Sequence, residues 1–161
     1  DKYCDDETKM EMPVVMAAAS GTDLIDLFFD LLDPLGATVD VVLESSHETE
    51  HGQHRDLIRE GIDTPILKSI LYDYEELLLN DGCLGIAVMN PQIPAEVQLD
   101  EHKLLIAYGK DLRHFEYLLG NYGLKCDEEL RFITEAEHVH SSSEQFIEKF
   151  QELKYDLGID C

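Results

Sequence analysis

Apolar residues in this chain fall into short runs separated by charged punctuation, and the period of each run predicts its element. The run PVVMAAAS (13–20) has strand length and ends in small residues that allow close packing. Gly21 breaks it, and TDLIDLFFDLLD follows, apolar on most sides. Thr22 is its expected N-cap, with Asp23 and Asp26 near the positive end of the helix dipole. Pro34 and Gly36 end that helix. The β-rich TVDVVLE (38–44) then predicts a second strand, and the crossover is long enough for parallel pairing of the two strands.

The middle of the chain reads as helical. Thr64-Pro65 is an N-cap followed by proline at the first helical position, and Leu67, Leu71, Tyr74 and Leu78 recur at helical spacing up to the stop at Gly82. CLGIAVMN (83–90) is a strand, and the two prolines of NPQIPAE mark a loop. A last helix opens at Ser141, where Glu144 completes a capping box. Its stripe of Phe146, Phe150, Leu153 and Leu157 should dock on a sheet.

Two segments echo one another. At a constant offset, Ala19, Gly21, Asp23, Leu24 and Leu31 of the first match Ala107, Gly109, Asp111, Leu112 and Leu119 of the second. Further on, VVLESSH (41–47) matches FITEAEH (132–138), which sets Glu44 on Glu135 and His47 on His138. Both copies read strand, Gly-x-Asp-Leu, helix, Gly, strand, Glu-x-x-His. Shared punctuation produces part of such a match by itself, because glycine ends strands and an acid opens helices. Duplication would place the two Glu-x-x-His segments at equivalent strand ends.

Composition narrows the function classes. With 44% apolar residues the chain is globular rather than disordered, and no run approaches the roughly 18 residues of a membrane span. Thirty-five acids against 12 bases give a formal charge of −23, which repels nucleic acid and anionic membranes and favours basic partners and divalent cations. A salty environment is the bland explanation of that surplus. Cys4, Cys83, Cys126 and Cys161 are dispersed without a CxxC pair, which fits reduced thiols in a cytoplasmic protein; a Cys4–Cys161 bridge is the alternative. The chain opens on Asp1 rather than Met, so upstream trimming or processing is expected and compartment is not read from a leader.

Chemistry concentrates at the histidines of VVLESSHETEHGQHRDLIREG (41–61). On a helix, His47, His51 and His54 would share one stripe, but i to i+7 spans about 10 Å of axis, too far for three nitrogens on one ion held at about 2.0–2.1 Å. Further ligands would come from the second copy, where His138 and His140 lie on one face of a strand. Glu44, Glu48 or Glu135 would add an oxygen or orient an imidazole. The metal hypothesis thus names His47, His51, His54, His138, His140, Glu44 and Glu135, or a subset, around a divalent transition metal such as zinc. A histidine cluster that charges at mildly acidic pH is a second use, and solvated loop histidines are the simplest. The turns SGTD and YGKD lack a phosphate-loop pattern and read as helix caps.

The expected architecture is a single α/β domain over residues 1–161, with α+β as the alternative. It has a mixed sheet of about five strands built from two strand–helix–strand units, roughly 13–47 and 102–138. A helical insert spans roughly 53–82 and a C-terminal helix roughly 141–157 covers one face. The leading functional expectation is a non-catalytic acidic binding module for a basic protein or a second copy, with no nucleic acid and no membrane. The rival is a metal-dependent hydrolase or metal-binding protein built on the histidines. An exposed apolar patch would favour the first, and imidazoles meeting in a cleft the second.

Overall fold

The computed structural model describes residues 2–4, 11–46, 55–131 and 141–159. Its elements run β1 (Lys2–Cys4), β2 (Glu11–Ala17), α1 (Leu24–Leu32), β3 (Thr38–Ser45) and β4 (Arg55–Asp63), then α2 (Thr64–Tyr72), α3 (Glu75–Asn80), β5 (Leu84–Asn90), β6 (Ala95–Leu99), β7 (Leu105–Gly109), α4 (Arg113–Asn121) and α5 (Glu144–Asp156). The class is α+β. β2 to β7 form one sheet in the order β2-β7-β6-β5-β3-β4, and β1 adds to its β2 edge.

Every strand pair is antiparallel, so the expected mixed sheet is corrected, and it has more strands than the five foreseen. The crossover inference was sound in direction and wrong in adjacency. Successive antiparallel steps from β2 through β7, β6 and β5 to β3 leave β2 and β3 pointing the same way, but with three strands between them. The meander β5-β6-β7 fills that gap, with turns short enough for antiparallel neighbours.

The helical insert expected over 53–82 begins instead with β4. Its inward residues Leu57, Arg59 and Ile62 break period two, because a bulge puts an extra residue between the pairs Val41–Arg59 and Val39–Ile62. The helix after it starts one residue earlier than expected: Asp63 is the N-cap, while the Thr64 hydroxyl donates to the Gly36 carbonyl at 2.7 Å. It is also split at Asp73–Tyr74 into α2 and α3. α1 is capped at Asp23 rather than Thr22, and α5 at Ser143 without the side-chain bond of a capping box.

Burial follows the pleat. On β3, Val39, Val41 and Leu43 point into the core, and register carries that side through Leu84, Ile86 and Val88, then Val97 and Leu99, then Leu105 and Ala107. α1 lays Leu24, Ile25, Leu27, Phe28, Leu31 and Leu32 on this face, beside Leu67 and Leu71 of α2 and Phe150 and Leu153 of α5. α4 joins them, since a Cβ on inward-facing Gly109 would touch the Phe115 ring at 3.5 Å. These residues form one continuous core cluster. The strand–helix parts of the two echoing segments do lie side by side, β2 on β7 and α1 against α4. The closing strand of the second copy, 132–138, falls outside the described residues.

Candidate functional site

The sheet face opposite the helices is built by the same alternation. Register places Met16, Ile106, Gln98, Ala87, Val42 and Ile58 in one row across six strands. Five interstrand steps of about 4.8 Å make that row about 24 Å wide. A second row runs Val14, Tyr108, Glu96, Met89, Asp40. The apolar members are half-buried by one another, apart from buried Ala87 and Ile58, which is 58% exposed. Among the described residues, no helix packs on this face.

Its polar residues are acidic. Asp40 and Glu96 interrupt the second row, and a third runs Gly85, Glu44, Asp56. No lysine or arginine occupies these rows. Asp40 is committed to the fold, accepting the Gly61 N–H of the β4 bulge at 2.9 Å. Glu96 is different: it sits between Tyr108 and Met89, and the Gln98 amide donates to its Oε1 at 2.8 Å. Burial pushes its carboxyl above the usual range, against the opposing pull of that hydrogen bond.

A sign follows for stability. A raised carboxyl pKa penalises the ionised folded state, so the group's contribution improves as pH falls through its folded pKa. Glu96→Gln is therefore expected to stabilise the protein at pH 7 by less than about 1 kcal/mol. The advantage should shrink on acidification to pH 4, as read by thermal unfolding at both pH values.

The face ends at a polar corner. Gly85 projects toward the β6–β7 turn, where a Cβ would lie 3.4 Å from the Asp100 Cα and the Glu101 nitrogen. Asp100 organises this turn: its Oδ1 accepts the N–H groups of His102 at 3.0 Å and Leu104 at 2.9 Å. Its Oδ2 meets the His102 Nδ1 at 3.0 Å. Lys103 takes a left-handed backbone (φ 62°) and sends its Nζ to the Leu84 carbonyl at 3.1 Å. Burial lowers the Lys103 ammonium to about 8, although Asp81, Asp100, Glu101 and Cys83 pull it upward. Asp81 is fully buried and accepts the Cys83 N–H at 3.0 Å.

A group of potential metal ligands lies at this corner, and it shares no residue with the set expected from the sequence. One candidate oxygen or nitrogen from each of Asp100, Glu101 and His102 lies within 4.8 Å of the others. With its Nδ1 on Asp100, His102 has the orientation that a carboxylate gives a ligating imidazole. The neighbouring Lys103 ammonium already offsets part of the negative charge, which weakens the pull on a cation. His47, His51, His54, His138, His140 and Glu135 lie outside the described residues. Glu44 is described and projects from β3 onto the open face, opposite Gly85 and Asp56. The chain on either side of the histidine segments converges: the Ser46 N–H donates to the Cys83 carbonyl at 3.1 Å, and the Gly82 N–H to the Ser141 carbonyl at 2.9 Å. His102 escaped the sequence reading because a single histidine in a turn matches no ligand spacing.

The remaining polar features serve the fold. Asp111 of YGKD accepts the Arg113 N–H at 3.0 Å and three bonds from its guanidinium, which lower its carboxyl to about 2. A shallow surface depression is lined by Tyr74, Gln151, Glu152, Tyr155 and Asp156, with the Tyr74 hydroxyl donating to Asp156. Cys83 and Cys126 are free thiols, whereas the question of a Cys4–Cys161 bridge lies outside the described residues. Among the described residues no helix is long and apolar enough to cross a membrane. Comparison with protein-family models, curated proteins and solved structures finds no match to this chain.

Proposed function

We propose that this protein is a non-catalytic binding module whose working surface is the open face of the sheet. The observation that supports this reading is the row Met16–Ile106–Ala87–Val42–Ile58, interrupted by Gln98, on a face that carries no helix among the described residues. Along this row of about 24 Å, Met16, Ile106, Val42 and Ile58 keep apolar surface in contact with water, and such surface grouped on one face marks interaction sites. A partner that buried it would gain about 25 cal/mol for each Å² of apolar area removed from solvent.

Selection of peptides from a random library on the intact protein tests this reading. The selected peptides are expected to lose binding to Val42→Lys and Ile106→Lys, which place a charge in the row, and to keep it for Tyr155→Lys in α5. Both face variants should unfold at nearly the wild-type temperature, because these side chains point away from the core. Peptides indifferent to the two face variants would contradict the reading.

A second reading rests on the corner. The triad Asp100, Glu101 and His102 adjoins the Gly82–Cys83 anchor that holds Ser46 and Ser141, the neighbours of His47 and His140. A divalent transition metal such as zinc would suit an imidazole–carboxylate set of this kind. Equilibrium dialysis of untagged protein against zinc decides it. One tightly held ion, lost in His102→Ala and in His47→Ala, supports the reading; binding that both variants retain contradicts it.

A further inference from the structure

We infer that the open face is built for a cationic amphipathic peptide segment, whose lysine or arginine seats on Glu96 while its apolar residues cover Val42, Ile106 and Met89. The inference rests on the open face being the binding surface, and it adds the chemistry of the occupant. It starts from the placement of Glu96. That carboxylate projects from β6 near the middle of the sheet, between Tyr108 on one neighbouring strand and Met89 on the other. Met16, Ile106, Ala87 and Val42 occupy the adjoining row.

A carboxylate in such surroundings has lost part of its hydration, and one amide donor, Gln98 at 2.8 Å, replaces only part of it. A neutral apolar partner laid over this face would strip the rest and leave a buried, under-solvated charge. An acidic partner would add repulsion from Asp40, Asp56 and Glu96. A cation delivered by the partner repairs the deficit, forming a charge-assisted hydrogen bond in a poorly hydrated setting. The rows offer no lysine or arginine that could pair with Glu96 from within. Exposed Asp56 on β4 adds the same sign at one border. The face is therefore complementary to a positive, apolar strip, and it discriminates against negative ones.

The overall charge of −23 would attract any polycation, so the experiment separates the local effect from the general one. Three labelled peptides share one set of apolar residues and carry lysine, glutamine or glutamate at the polar positions. Binding to the full chain is read by fluorescence anisotropy in 0.15 M salt. The lysine peptide is expected to bind at least about tenfold tighter than the glutamine peptide, and the glutamate peptide weakest of all. E96Q should weaken the lysine peptide about tenfold without weakening the glutamine peptide. E116Q removes the same charge from exposed α4 and should leave both unchanged.

If the lysine and glutamine peptides bind equally, or if E116Q matches E96Q, the inference is overturned while the face survives as a binding surface. If Val42→Lys affects none of the peptides, the binding-surface reading itself fails. Sedimentation of the free protein covers the alternative occupant: a dimer dissolved by Val42→Lys would show that a second copy fills the face and would also overturn the inference.

Discussion

Phe150→Ala should lower the free energy of unfolding by about 3–5 kcal/mol, the largest loss expected from a single truncation here. Phe150 has no solvent exposure and belongs to the core cluster that α5 shares with the sheet, α2 and α3. Its truncation removes the transfer energy of the ring and leaves a cavity among the packed core residues. The ring also supports buried Lys154, whose ammonium lies 5.4 Å from its centroid. That contact contributes on the order of 1 kcal/mol more. Urea denaturation followed by circular dichroism measures the loss. A change below about 1 kcal/mol would mean that α5 does not close the core.

Gly82→Ala should cost about 2–3 kcal/mol, a large penalty for one methyl group. A Cβ at residue 82 would stand 2.6 Å from the Ser141 carbonyl oxygen and 3.0 Å from the Ser141 nitrogen. Both obstructing atoms are backbone, so no rotamer change relieves the clash. The Gly82 N–H to Ser141 carbonyl bond must break or the chain entering α5 must move. Hydrogen exchange provides the specific readout: protection should fall at Gly82 and through the first turn of α5 before it falls in β7. Wild-type protection at Gly82 in the variant would show that residue 141 is not anchored there.

The parts of this fold that the sequence disclosed are those set by local period. Phe150, Leu153 and Leu157 have helical spacing and form the buried side of α5, and Val39, Val41 and Leu43 alternate as a half-buried strand should. What stayed hidden depends on residues far apart in the chain. The helical insert expected over 53–82 misses β4 because its bulge shifts the inward set from Leu57 and Arg59 to Ile62, breaking the alternation that marks a strand. The loop expected from the two prolines of NPQIPAE (90–96) ends earlier than its pattern suggests, because β6 begins at Ala95, with Val97 and Leu99 pointing inward and Glu96 and Gln98 outward.

Strand order was illegible for a related reason. β2 and β3 carry the pattern of a crossover pair, and nothing in either segment says that β5, β6 and β7 will come between them. The candidate surface follows from that order. Met16, Ile106, Ala87, Val42 and Ile58 are scattered over five strands and become neighbours only through register. The His102 corner is likewise a product of the β6–β7 turn and the anchor at Gly82–Cys83. The histidines that drew attention in the sequence lie outside the described residues, so the convergence of Ser46 and Ser141 is the part of that hypothesis the fold addresses.

Methyl-resolved NMR, recorded while the lysine-bearing peptide is added, puts the role of the open sheet face to the sharpest trial. Saturable shifts should appear at Met16, Val42, Ile58, Met89 and Ile106, with core methyls such as Leu71 and Leu153 nearly still. Shifts confined to the outer surfaces of α2, α4 and α5, or spread evenly over the molecule without saturating, would contradict the account.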